Sequence, residues 1–281
     1  MLYKNPIVVL VFIALLAGCG RPLTIEQDFS SGTEAVDERV DKGTVAATES
    51  VTGAVTDTEI STDAAIGDAA PDYTASTKVW DVINDPAFVG YGRLIFPVDK
   101  VIDEDLTLRE VGSILTWYNN VNTNRTVEIV NYMKAKAEAG EQIFYDIYTD
   151  AEKAADPARQ DTGLFFFRGN PGEKFAIVNA GGGFVYVGAM HDSFPHALEL
   201  SNKGYNAFAL IYRPGATTAA EDLAREIAFV FEHADELGVD ATDYSLWGGS
   251  AGARMAAWLG SNGTAAYGEA EYPRPAAVIM Q

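Results

Sequence analysis

The stretch Tyr244-Ser245-Leu246-Trp247-Gly248-Gly249-Ser250-Ala251-Gly252-Ala253-Arg254-Met255 decides the fold. Its apolar start reads as a short buried strand, and two glycines and a serine make a tight turn. Met255, Ala256, Trp258 and Leu259 then follow at helical spacing. Inside the turn lies Gly248-x-Ser250-x-Gly252, the pattern of a nucleophile elbow. A serine lifted onto a strained strand-to-helix turn presents its hydroxyl, and the flanking glycines keep the neighbouring chain from crowding it. The helix that follows aims backbone N–H groups at any negative charge forming nearby. A glycine-rich turn without chemistry has the same spacing, so the residues around it carry the argument further.

Upstream, Phe175-Ala176-Ile177-Val178-Asn179 is a second buried-strand run, and it leads into Ala180-Gly181-Gly182-Gly183-Phe184. Three glycines after a strand suit an oxyanion-hole loop, because the backbone itself must approach a substrate carbonyl and point N–H groups at it. A dinucleotide site is a poor reading, since Tyr186 stands where the last glycine of G-x-G-x-x-G would fall.

These two motifs, in this order and about 70 residues apart, resemble the α/β-hydrolase superfamily, in particular its bacterial esterase and lipase-like branch. The resemblance spans roughly residues 140–281. Ala180 stands where the loop of many members has a histidine. It implies an α/β fold with a mostly parallel sheet of the α/β-hydrolase type, preceded by a small helical segment. It also implies a serine hydrolase of carboxylesterase type. Ser250 would attack the ester carbonyl, and the N–H groups of Gly182, Gly183 and Ala251 would hold the oxyanion. Gly248 and Gly252 would be the elbow glycines. Phe184, Tyr186 and Trp247 are candidates to line an apolar acyl or alcohol pocket, or else belong to the core. The implied substrate is a small-molecule ester, with no metal and no organic cofactor. Lipases, peptidases and carbohydrate deacetylases share the same elbow.

The net charge of −20 over 281 residues excludes a nucleic-acid partner, which needs a basic face. The single cysteine, Cys19, excludes an internal disulfide. It closes Leu16-Ala17-Gly18-Cys19, after Lys4 and an apolar run from Ile7 to Leu16. That arrangement resembles a bacterial lipoprotein signal peptide, residues 1–19, whose cysteine is acylated. A lipid on Cys19 would tether the protein to a membrane surface in the cell envelope, on its extracytoplasmic side. Residues 20–77 are rich in Thr, Ser, Ala, Gly and acidic residues and poor in large apolar ones, which predicts a disordered acidic linker.

Residues 78–140 form an N-terminal helical, cap-like segment. A short strand is expected at Arg93–Phe96, a helix from Leu106 to Tyr118 capped by Asp105, and a second helix from Thr123 to Ala139 with Val127, Val130, Met133 and Ala137 on one face. Residues 141–281 are the hydrolase-like core. Gln142–Tyr148 and Gly163–Arg168 read as an antiparallel strand pair, followed by strands at Lys174–Asn179, Tyr205–Tyr212, Tyr244–Trp247 and Ala276–Gln281. Helices fall at Ser193–Lys203 and Thr218–Leu237, the latter ended by Gly238.

A serine hydroxyl needs a histidine base and an acid to orient it, in this fold in the order Ser, acid, His. After Ser250 come only Glu269 and Glu271 as acids and no histidine; His191, His196 and His233 all precede it. The last residues, Val278-Ile279-Met280-Gln281, sit within an apolar strand pattern. The expectation is therefore a sheet incomplete at its C-terminal end, with the last two strands absent. The triad acid and histidine would lie outside this chain, leaving it inactive as it stands. Two alternatives are that His191 or His196 serves as base, or that a surface lipoprotein uses a hydrolase-like domain only for binding.

Overall fold

The computed structural model describes the backbone of residues 8–11 together with residues 72–115, 117 and 121–281. The chain divides into two units, of which the second, Leu15–Ala70, lies outside the described residues. So do Cys19 and almost all of the acidic linker.

Among the described residues the strands are β1 (Val8–Val11), β2 (Phe144–Tyr145), β3 (Gly163–Phe167), β4 (Lys174–Asn179), β5 (Asn206–Ile211), β6 (Asp240–Gly248) and β7 (Ala277–Met280). They form one sheet in the order β1-β7-β6-β4-β5-β3-β2. Strands β1, β7, β6, β4 and β5 run parallel, and β3 and β2 are joined to them antiparallel. The α-helices are α1 (Val79–Ile83), α2 (Thr123–Glu138), α3 (Asp150–Ala155), α4 (Ser193–Asn202), α5 (Ala216–Glu232), α6 (Ala234–Leu237) and α7 (Ala251–Asn262). The fold is α/β with a mostly parallel sheet. Strands β3 and β5 are buried along their whole length, which is why they read as unbroken apolar runs rather than alternating ones.

The sheet brings the two glycine motifs together. Strand β4 lies directly beside β6 with Asn179 opposite Gly248. The Asn179 side-chain amide donates to the Trp247 carbonyl at 3.0 Å, fixing the two carboxyl ends level. Both turns therefore leave the sheet at the same edge, where ligands of parallel sheets sit.

Several local expectations are corrected. Gly92–Ile95 is a 3-10 turn, not a strand. The Arg93 guanidinium gathers the carbonyls of Phe96, Pro97, Val98 and Lys100, which curls the chain around it. Leu108–Ile114 is also 3-10, because Leu108, Val111 and Ile114 recur every three residues. Its cap is Thr107 in a box with Glu110, not Asp105. In the 142–148 run only Phe144–Tyr145 pairs with β3, antiparallel as expected. Helix α2 turns Thr126, Ile129, Val130 and Met133 inward, leaving Val127 half-buried. The long helix after β5 breaks at His233, whose backbone N–H donates to the Phe229 carbonyl at 3.0 Å while its Nδ1 lies 2.8 Å from the same oxygen. Gly238 then ends α6 in the left-handed conformation. Packing begins before residue 78: Tyr73 is buried and its hydroxyl donates to Asp85 at 2.6 Å. Residues of α1 and α2 share one core with β3 to β6, so this segment is part of the domain body.

Candidate active site

Among the described residues only two non-glycine residues have positive φ, Phe184 at 60° and Ser250 at 48°. Backbone strain of this kind costs about 1–3 kcal/mol per residue and concentrates at functional sites. One strained residue follows the triple glycine and the other is the elbow serine.

The elbow needs both of its glycines. A β-carbon at Gly248 would lie 2.2 Å from the Gly252 carbonyl carbon, and one at Gly252 would lie 2.0 Å from the Asn179 carbonyl oxygen. Ser250 itself is exposed at the N-terminus of α7. Its N–H donates to the Gln281 carbonyl at 3.1 Å, so the turn is pinned to the end of β7.

The glycine loop faces this serine. A β-carbon on Gly181 would be 3.1 Å from the Ser250 Cβ. Gly182 and Gly183 have φ of 144° and 65°, and a β-carbon on Gly182 would strike the Tyr186 carbonyl oxygen at 1.8 Å. Among the described residues, no group accepts a hydrogen bond from the N–H of Gly182, Gly183 or Ala251. Those three donors are free for an oxyanion. The Trp117 ring lies over Gly183 and stacks on Tyr186 with centroids 5.7 Å apart.

Asp192, which the sequence did not single out, is largely buried beside the loop, and its Oδ2 accepts from the Gly181 N–H at 2.7 Å. Burial pushes its carboxyl up, while the Gly181 N–H and His196 pull against that shift. The only sequence cue was its place just before α4, where an Asp usually reads as a helix cap.

The aromatic and histidine candidates separate. Phe184 is half-buried and stacks on Trp258 at 5.9 Å, and the Arg254 guanidinium lies 5.0 Å from the same Trp258 ring. Tyr186 is fully buried and belongs to the core, one of the two places the sequence leaves open for it. Trp247 instead lines a cavity of about 280 Å³ with Lys174, Phe175, Leu200, Tyr205 and Tyr244, toward the amino ends of β4 and β6. His191 packs against Gly188, and burial pushes its pKa down to about 4. His233 stacks on Phe229 at 4.3 Å and lines a cavity with Gln142 and Tyr145. His196 has Nδ1 2.7 Å from the Asp192 carbonyl oxygen and Nε2 3.2 Å from Nε2 of Gln281, the residue whose carbonyl accepts from the Ser250 N–H.

The family model BD-FAE, an α/β-hydrolase-like esterase domain, matches residues 169–273, a span that holds both motifs. Solved structures of a thermophilic esterase from the planctomycete Thermogutta terrifontis are similar. The native form is 26% identical over 35% of this chain and 39% of that one, with a TM-score of 0.33. The propionate-bound form is 23% identical over 43% and 49%, with a TM-score of 0.38. The paraoxon-phosphorylated form is 25% identical over 35% and 42%, with a TM-score of 0.33. This chain thus spans less than half the length of each. No curated protein matches it.

Proposed function

We propose that this chain carries the nucleophile and the oxyanion hole of a carboxylesterase-type serine hydrolase. The observation that carries the reading is the strained, exposed Ser250 facing a triple-glycine loop with free N–H groups. The match to an esterase domain over the same residues supports it. Ser250 Oγ adds to the ester carbonyl carbon. The carbonyl oxygen gains negative charge, which the N–H groups of Gly182, Gly183 and Ala251 stabilise. The alcohol then leaves, and water releases the acid from the acyl-enzyme. A histidine oriented by an acid takes the serine proton and returns it to the leaving alcohol.

The test is hydrolysis of short p-nitrophenyl esters and labelling by a fluorophosphonate probe. Ser250→Ala should abolish both; unchanged hydrolysis in that variant would sink the proposal.

A second reading makes His196 the base. Its Nδ1 faces a backbone carbonyl and so carries the proton, which leaves Nε2 as the basic nitrogen beside Gln281. Loss of turnover in His196→Ala, with a lost acid limb in the pH profile, would favour it.

We also propose that Cys19 is acylated and tethers the protein to a membrane surface. Among the described residues no helix is long and apolar enough to cross a membrane. Incorporation of a labelled fatty acid that disappears in Cys19→Ser checks this.

A further inference from the structure

A loop of three glycines has no side chains to hold it, yet catalysis needs its N–H groups fixed to within about 0.5 Å. Something outside the loop must do the holding. Asp192 stands at the N-cap position of α4, where an aspartate ordinarily accepts from the N–H groups of its own helix. Here its side chain makes no such cap bond. Its Oδ2 instead accepts from the Gly181 N–H at 2.7 Å.

The same carboxylate also rests against the elbow. A β-carbon on Gly249 would lie 2.6 Å from Asp192 Oδ2 and 3.1 Å from Oδ1. Gly181 closes the triangle, since a β-carbon there would be 3.2 Å from the Gly249 carbonyl oxygen and 3.1 Å from Ser250 Cβ. One largely buried carboxylate therefore touches the oxyanion loop and the residue before the nucleophile. The elbow pattern leaves position 249 open to any residue. The carboxylate supplies the reason for a glycine there.

We infer that Asp192 is the positioning residue of the oxyanion hole: its carboxylate ties the Gly181 end of the loop to the elbow, so that the Gly182 and Gly183 N–H groups meet the oxyanion above Ser250. By occupying the Gly181 N–H it also turns that donor away from the hole. Asp192 acts through backbone and does not touch substrate. The inference rests on the esterase reading for its kinetic consequence but not for its structural one.

The experiment uses the full chain and the variants Asp192→Ala, Asp192→Asn, Gly249→Ala and the double variant that combines Asp192→Ala with Gly249→Ala. Per fluorophosphonate-titrated site, Asp192→Ala should lose about 100-fold in kcat with KM nearly unchanged, the effect of losing one oxyanion donor. Asparagine keeps an acceptor oxygen in the same shape, so Asp192→Asn should stay within about tenfold of the parent. Gly249→Ala should lose kcat as Asp192→Ala does, and the double variant should fall no further, because both changes break one contact. Hydrogen exchange of the Ala180–Phe184 amides should rise about tenfold in Asp192→Ala and not in Asp192→Asn.

An Asp192→Ala protein with parental kcat and parental exchange would overturn the inference while leaving the esterase reading intact. A parent that neither hydrolyses esters nor takes the probe would overturn the esterase reading. The exchange measurement would still decide the role of Asp192.

Discussion

Gly252 and Asn179 are in contact across the elbow: a β-carbon on Gly252 would lie 2.0 Å from the Asn179 carbonyl oxygen and 2.9 Å from that of Ala180. The first turn of α7 is thus seated on the end of β4, and the contact sets where Ser250 stands relative to the glycine loop. Gly252→Ala should push the helix off this seat. The expected cost is about 1–3 kcal/mol, the range for overpacking a tight site, with loss of ester hydrolysis. Thermal unfolding and turnover of the same preparation check both.

Ser250 holds φ 48° and ψ −112°, a region open to glycine but strained for other residues. Ser250→Gly should therefore remove the nucleophile and yet stabilise the fold by about 1 kcal/mol, strain relief exceeding the added chain entropy. A higher melting temperature in an inactive variant is the expected result. A lower one would show that the elbow is not strained.

His191 carries a pKa pushed down by burial to about 4 from an ordinary 6.5. The unfolded chain therefore binds a proton at this site that the fold does not bind. Stability from this group is intact above pH 6.5 and is lost as pH falls toward 4, by at most about 1.4 kcal/mol per pH unit. Denaturant melts between pH 7 and 4 should show a shallower loss in His191→Gln than in the parent.

Glu226 is fully buried in α5, and among the described residues neither carboxyl oxygen has a hydrogen-bond partner. Burial alone pushes its pKa well above 4.5, so the fold keeps the proton that the unfolded chain gives up. Its contribution to stability is present below pH 4.5 and falls as pH rises through that value. Glu226→Leu should raise the melting temperature more at pH 7.5 than at pH 4.5. An equal shift at both would mean that the carboxyl is not titrating between them.

The reading of α5 shows where sequence patterning stops. The apolar spacing of the Thr218–Leu237 stretch implies that Leu223, Ile227, Val230, Phe231 and Ala234 face inward; the first three are buried and Phe231 and Ala234 half-buried. Asp222 and Glu226 are buried as well, which no periodicity of apolar residues announces. For Asp222 the structure supplies the reason, a cluster in which Arg213 and the Tyr148 hydroxyl both reach its carboxylate, at 2.7 and 2.6 Å. Those partners come from separate stretches of chain. Likewise, the sequence leaves open whether Tyr186 lines a pocket or belongs to the core, and burial puts it in the core.

The sequence alone determined the parts that depend on neighbouring residues. Apolar runs placed β3 to β7, and glycine spacing marked the elbow and the loop, because positive φ and close backbone approach are demands a local stretch must meet with its own residues. Only the tertiary structure decided that β4 lies between β5 and β6, so that Asn179 and Gly248 end side by side. It alone turned Asp192 from its own helix cap toward Gly181 and Gly249. Those outcomes rest on contacts between residues far apart in the chain, which become neighbours only when the sheet closes its order and burial fixes where each polar group finds a partner.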